Sequence, residues 1–532
     1  MIFDEKTTIG SGKAILGIEF GSTRIKAVLI DPQNRPIAQG SHSWENQLVD
    51  GLWTYSLDAI WDGLRDCYAD LLKDVREKYN TVIENLAGIG ISAMMHGYMA
   101  FNDKDELLVP FRTWRNTNTG QAAAELSKLF VYNIPLRWSI SHLYQCILNG
   151  DEHVKDIKFQ TTLAGYIHWK LTGEKVIGIG DASGMIPVDS DTKTYNAGMV
   201  SKFDELIAPK GYEWKLLDIF PKVLVAGENA GCLTAEGARL LDVSGHLKAG
   251  IPLCPPEGDA GTGMAATNAV KKRTGNVSAG TSSFSMIVLE KELSKPYEVI
   301  DMVTTPDGSP VAMVHCNNCT SEINAWVNIF REFLALIGEP VDNNKLYSAL
   351  FGVANDGQPD CGGLLAYNYV SGEPVAGLVD GRPLFVRSAT DKFNLANFMR
   401  SQLYASIAVL KIGNDILLKQ ENVKVDRITG HGGLFKSTNA GQKVLAAALN
   451  SPISVMKTAG EGGAWGIALL TSFLVNNPDR LSLADFLDKN VFAGDAGTEI
   501  APTFAEVEGF NNYIEMYKQG LAIEHCAVDS KK

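Results

Sequence analysis

The chain has little cysteine, no excess of basic residues and no long apolar run, and each shortage removes a class of function. Eight cysteines are scattered through 532 residues: Cys67, Cys146, Cys232, Cys254, Cys316, Cys319, Cys361 and Cys526. Sparse, unpatterned cysteine fits reduced thiols and excludes a disulfide-stapled secreted scaffold. Cys316 and Cys319 form one C-x-x-C, but no second pair or histidine stands at ligand spacing, so they read as buried thiols rather than a zinc site. Lysine and arginine number 48 against 61 aspartates and glutamates, a net charge of −13. That sign is unsuited to nucleic acid or an anionic membrane, both of which need a basic face. It leaves room for one local anion site. No stretch of 18 apolar residues offers a membrane span. The opening MIFDEKTTIG is acidic and lacks the basic and apolar regions of a signal peptide. A cytoplasmic protein is the expectation.

What the chain does have is glycine, 51 residues, and they cluster. The clusters are GIEFGST (17–23), EGDAGTG (257–263), GNVSAGT (275–281), CGG and SGE (361–373), GHGG (430–433) and GEGGAWG (460–466). Glycines at the ends of apolar runs mark loops where backbone meets a ligand closely. The run 14–31 reads as a strand, a small polar turn and a second strand. Residues 276–290 have the same shape, and setting Gly21 on Gly280 gives an internal repeat at a shift of 259. Two similarly folded halves follow, with the change of domain near Lys271–Gly275. Apolar side chains recur with helical spacing over 57–79 and 393–418. Strands alternating with helices predict an α/β protein. The tail beyond about Pro502 reads as part docking helix and part frayed end.

Two nucleotide motifs fail on context. Gly10-Ser11-Gly12-Lys13 lacks a following Ser/Thr and runs into a strand, where a P-loop needs a helix. Gly261–Ala266 follows Pro252, Pro255 and Pro256, where a dinucleotide fingerprint needs a strand. The hairpin turns are better phosphate cradles. Gly21, Ser22 and Thr23 offer backbone N–H groups and two hydroxyls, with Lys26 just beyond and Glu19 just before. Gly280, Thr281 and Ser282 match them in the second half. Asp259 precedes a stretch of small residues. Read locally it fits a helix N-cap; the alternative is a general base.

These motifs, with L-L-A-Y-N-Y-V-S-G-E-P (364–374) and G-H-G-G-L-F-K-S (430–437), stand in an order that resembles the FGGY carbohydrate kinases, from about Ala14 to Leu470. The resemblance implies two ribonuclease-H-like domains of the actin-like ATPase type flanking a central cleft. The expected division is 14–268 for sugar and the first phosphate loop, 269–500 for ATP, and a tail over 501–532. It implies Asp259 as catalytic base. It implies ATP contacts at Gly21, Ser22, Thr23, Lys26, Gly280, Thr281, Ser282, Gly372, Gly432, Gly433 and Ser437, with a helix cap as the alternative for Ser437. Met95 and His96 are similar to a Met-His-Gly element of xylulose kinases, and with Trp114 they would border the sugar; core packing is the alternative for Met95 and a satisfied buried imidazole for His96. Asp181-Ala182-Ser183-Gly184 is similar to another xylulose-kinase stretch or is a plain turn. Glu19 stands where the family usually has Asp, which would put Mg²⁺ at a water's distance. Trp114-Arg115-Asn116 replaces a Trp-Asn-Asp, so the exact sugar is open. D-xylulose leads, with L-ribulose, L-xylulose, L-fuculose and glycerol-like polyols behind. A non-catalytic sensor and a chaperone-like or actin-like ATPase are the competing classes. A homodimer is the base-rate expectation.

Overall fold

The computed structural model describes residues 4–436, 439–456, 462–494 and 497–531. The first half builds a five-stranded sheet from β1 (Ile15–Phe20), β2 (Arg24–Ile30), β3 (Pro36–Ser43), β4 (Gly88–Ala93) and β5 (Glu257–Gly258). Their order is β5-β4-β1-β2-β3. β1, β2 and β3 are antiparallel neighbours, whereas β4 and β5 run parallel to β1. Helix α1 (Leu57–Tyr79) packs on β2 and β3 over the range its apolar spacing predicts, and α2 (Asp259–Ala266) leaves directly from β5.

The second half repeats this plan. β6 (Thr274–Ala279), β7 (Ser283–Val288), β8 (Asp301–Thr304), β9 (Pro310–Cys316), β10 (Arg427–His431), β11 (Ile453–Val455) and β12 (Thr498–Ile500) order as β8-β9-β7-β6-β10-β11-β12. The inner five, β9-β7-β6-β10-β11, have the order and directions of the first sheet. β1 and β6 correspond at the predicted shift of 259, but the second turn is one residue shorter. Gly17 pairs with Val28, and its counterpart Asn276 pairs with Met286. The shift past the turn is therefore 258. Thr274 and Gly275, read as linker, already belong to β6.

Helices α3 (Ser321–Leu336) and α4 (Leu395–Asp415) pack within the second half, and α5 (Gly462–Val475) crosses back to the first sheet. From Gly463 to Phe473 α5 is buried on every side, so its sequence is apolar all round. A Cβ on Gly17 would overlap the Ala464 carbonyl oxygen, and one on Gly90 would stand 2.8 Å from that of Ile467. A Cβ on Gly466 would overlap the carbonyl of Thr262 in α2. One continuous core joins Ile15 and Val28 of the first sheet, Met264 of α2, Ile467 of α5, and Met286 and Val288 of the second sheet. The tail is one helix, α6 (Phe504–Asp529), with no frayed half. Thr503 and Glu506 form its capping box, and Phe510, Tyr513, Ile514 and Tyr517 bury its inner face.

Glycine inside a helix ordinarily costs about 1 kcal/mol relative to alanine. At position 466 the order reverses, because the methyl group has nowhere to go. Gly466→Ala is expected to destabilise by about 1–3 kcal/mol, read from the urea midpoint. An unchanged or raised midpoint would show that α2 and α5 do not need this contact.

Candidate active site

β1, β4 and β5 are parallel neighbours, so their carboxyl ends open on one edge of the sheet, where α/β proteins bind ligands. The Gly21 turn follows β1, Met94-Met95-His96 follows β4, and Asp259 follows β5. The Gly21 N–H closes the turn on the Arg24 carbonyl at 3.0 Å. Aromatic donors hold its oxygens. Trp44 Nε1 donates to the Gly21 carbonyl (2.8 Å), the Tyr55 hydroxyl to the Ser22 carbonyl (2.6 Å) and Trp114 Nε1 to Ser22 Oγ (3.1 Å). The turn is thus fixed before any ligand arrives. Thr23 is exposed at its tip, and Lys26 stands directly across the ladder from Glu19.

In the second half Gly280 N–H bonds the Ser282 carbonyl at 2.9 Å. The Gly280 carbonyl accepts from Thr320 N–H (3.0 Å) and Thr320 Oγ1 (2.7 Å), and the Thr281 carbonyl accepts from Cys319 N–H (3.0 Å). Gly432, at the end of β10, has φ 102° and would bring a Cβ within 2.6 Å of the Ala279 carbonyl, so no side chain fits. Next to it Gly433 faces open space. Gly372 lies close under the Val379 carbonyl. Buried Glu373 beside it accepts from Asn317 N–H (2.8 Å), Asn318 N–H (3.2 Å) and Asn318 Nδ2 (3.1 Å). Segment 316–320 therefore braces both the Gly280 turn and the Gly372 loop. The two cysteines of that segment are buried, and burial pushes the Cys319 thiol up to about 12. They are packing thiols. Among the described residues no group of three or more His, Cys, Asp or Glu is placed to hold a metal ion. Ser437 lies outside the described residues.

Asp259 is the first helical residue of α2; the N-cap is Gly258, so the local N-cap reading fails. Its Oδ1 accepts the Met95 N–H at 3.2 Å. The side chain is reached by solvent but lies recessed among protein, and this desolvation raises its pKa, against the Met95 bond and the Arg137 charge. Burial pushes Glu19 up to about 7, the Asp259 charge adds to this, and Lys26 and the N–H groups of Ala464 and Gly463 oppose it. The Glu19 carboxylate thus caps the start of α5. Two mutually repelling carboxylates fit a cation that takes one or two protein oxygens and leaves its other positions to phosphates and water.

Two further acids, Glu257 and Asp181, have no role of their own in the site as read from sequence. Glu257 is buried and accepts the N–H groups of Gly180 (3.1 Å) and Asp181 (2.9 Å); burial and Asp181 push it up to about 8. Asp181, in the buried helical turn Ile179–Ala182, accepts Thr162 Oγ1 at 2.6 Å. Its Oδ1 has no partner in the structure and comes within 3.2 Å of a Cβ on Gly258. Burial, helped by Asp259, pushes Asp181 up to about 7. The Asp-Ala-Ser-Gly stretch was the available signal; its depth behind Asp259 was not.

A cleft of about 1000 Å³ is lined by Trp114, Arg115, Arg137, His315 and Asn317, from both halves. Arg137 pairs with Asp301 across the halves, and Asn133 Nδ2 donates to the same carboxylate at 3.0 Å. Arg115 lies over the Trp53 ring at 3.7 Å, and Asn116 bonds the Trp53 backbone, so both brace the Trp114 loop. Met95 and His96 are each only 5% exposed. The Met95 side chain joins the core, and the His96 ring lies 3.3 Å from the Gly184 carbonyl, its pKa lowered by burial. Both side chains are buried here, and the Met95 N–H serves Asp259.

Two ribonuclease-H-like sheets with turns at corresponding ends define a two-domain phosphotransferase of the actin-like ATPase fold. Residues 14–264 match the N-terminal domain of the FGGY family of carbohydrate kinases and residues 275–475 the C-terminal domain, so the chain belongs to that family. The xylulose kinase of Haemophilus influenzae is 21% identical over 520 residues, 95% of this chain and 99% of that protein. The crystal structure of xylulose kinase from Lactobacillus acidophilus aligns at a TM-score of 0.78 and 18% identity, over 98% of this chain and 100% of that one. Gluconate kinase from the same organism aligns equally well, with a TM-score of 0.78 at 19% identity over 96% and 99%. At such identities the two structures establish the fold alone. No helix among the described residues is long and apolar enough to cross a membrane.

Asp181 binds its proton more tightly folded than unfolded, so its contribution to stability is full below 3.8 and is lost as pH rises through about 7. Asp181→Asn keeps an acceptor for Thr162 and removes the titration. Its melting temperature is expected to fall less than that of the parent across this window. Parallel melting curves against pH would discount the buried charge.

Proposed function

We propose that this kinase transfers the γ-phosphoryl group of ATP to a hydroxyl of a ketopentose, D-xylulose first among the candidates. The observation that carries the reading is the convergence of the Gly21 turn, the Met95 N–H and Asp259 at three adjacent strand ends. Xylulose kinases among the relatives support the choice of sugar. L-ribulose, L-xylulose, L-fuculose and glycerol-like polyols follow.

The sugar lies in the cleft against Trp114, with Met95 and His96 forming the wall behind. Asp259 accepts the proton of the attacking hydroxyl. The hydroxyl oxygen bonds to the γ-phosphorus as the bond to the β-phosphate oxygen breaks, giving sugar phosphate, ADP and a proton. Gly21, Ser22, Thr23 and Lys26 from one half, and Gly280, Thr281 and Ser282 from the other, hold the phosphates. Gly372, Gly432 and Gly433 give the nucleoside room, and Ser437, outside the described residues, is assigned a further contact from the sequence motif alone. Glu19 would hold Mg²⁺ through water, and the ion would supply neutralisation of phosphate charge. Catalysis of this kind rests on alignment and preset charge rather than covalent chemistry with the protein. The protein would work in the cytoplasm.

Asp259→Asn is expected to lower kcat by about 10²–10⁴-fold while ATP affinity, measured by calorimetry, is unchanged. Wild-type turnover in that variant would remove Asp259 from the reaction. A coupled ADP-release assay over ketopentoses, polyols and gluconate tests the substrate. D-xylulose is expected to give the highest kcat/KM; no sugar-dependent release with any of them would favour a sensor.

A further inference from the structure

Helix α3 begins at the Gly280 turn, through the Thr320 bonds, and runs outward from it. Its first half is anchored by buried Ile323 and Val327. Its second half carries apolar side chains that no other described residue covers. Ile329 is 54% exposed, Phe333 56%, Leu336 84% and Ile337, just past the helix, 54%. The spacing 329, 333, 336 and 337 is that of one helical face. The patch continues sideways. Phe398 packs edge-on to Trp326 (5.0 Å) and against Phe393 (6.4 Å), and Phe393 and Leu395 are themselves exposed. A packed helix has no reason to keep its outer face this apolar unless something is to cover it.

We propose that this face is where two copies of the chain meet, α3 against α3 about a twofold axis. Area and charge both favour a second copy. Aromatic side chains present about 150–250 Å² each when fully open. At the observed exposures the six side chains offer on the order of 500 Å² per copy, about 1,000 Å² in a pair, which is what a specific interface has to clear. The patch also holds both charges that a self-complementary contact needs. Arg331 and Glu332 lie beside it and Glu339 at its end, and among the described residues none of them has an ion-pair partner within the chain. In a twofold contact each copy's arginine meets the other's glutamates. One arginine among two glutamates is the wrong balance for an anionic bilayer, which attracts several basic residues.

Sedimentation of the full chain over a concentration series is the test. The parent is expected at twice the 57.7 kDa chain mass. Phe333→Glu with Leu336→Glu is expected to run as a monomer, with association weakened at least about 100-fold and with unchanged turnover and circular dichroism. Leu336→Glu alone, at a side chain the fold leaves open, gives the same shift should the double variant fail to fold. A monomeric parent overturns the proposal, whether or not it floats with vesicles of phosphatidylcholine and phosphatidylserine. A dimer that survives both variants overturns it equally.

Discussion

Helix α5 can lie on β1 only because Gly17 has no side chain to separate the strand from the Ala464 carbonyl. Gly90 makes the same allowance on β4, and Gly463 and Gly466 make it on the helix, against Glu19 and Thr262. The consequence of this contact is positional. With α5 so close, its first N–H groups reach the Glu19 carboxylate, and α2 is caught between two sheets with Asp259 at its exposed end. Loosen the contact and the helix start, the Glu19 carboxylate and Asp259 lose their common reference. The glycines that looked like ligand-contacting loops in sequence therefore divide into two kinds. At 280 and 433 a Cβ would meet nothing closer than 3.9 Å, while those at 17, 463 and 466 are notches cut for a helix.

The halves of the molecule were legible because their signals are local. Two apolar strands around a small polar turn can be seen at 14–31 and again at 276–290, and β1 and β6 correspond at the spacing read from the chain. Helix α1 likewise follows from side chains three and four apart. What was not legible depends on residues far apart. Nothing near residue 465 says that α5 crosses back to the first sheet. Nothing near Asp181 says that its carboxyl lies behind Asp259, since Glu257 and Thr162, which fix its turn, come from two other segments. The one-residue difference between the two turns is invisible without the ladder. The C-x-x-C shows the opposite case. Its spacing suggests chemistry, but Asn317 and Asn318 between the cysteines do the bracing, and the thiols only pack.

The acids of the site also explain how a chain of net charge −13 can receive a polyanion. Burial holds Asp181 near 7 and Glu257 near 8, so around neutral pH these two groups carry less negative charge than their number implies. On the proposed reading, the aspect of the cleft presented to phosphate is set by turn N–H groups and Lys26. Formal charge describes the outer surface; the site is governed by desolvation.

The return of α5 to the first sheet has a consequence for how the molecule is made. Residues 15–93 leave the ribosome about 370 positions before the helix that closes their inner face. Until then the sheet stands open on that side, with Ile15, Val28 and Ile30 exposed to whatever is at hand. Domains generally complete themselves in order of synthesis; here the first domain is completed only after most of the second has been made. The nascent chain is therefore most vulnerable to aggregation in its oldest part, and a fragment ending before residue 462 would lack the piece that completes its beginning.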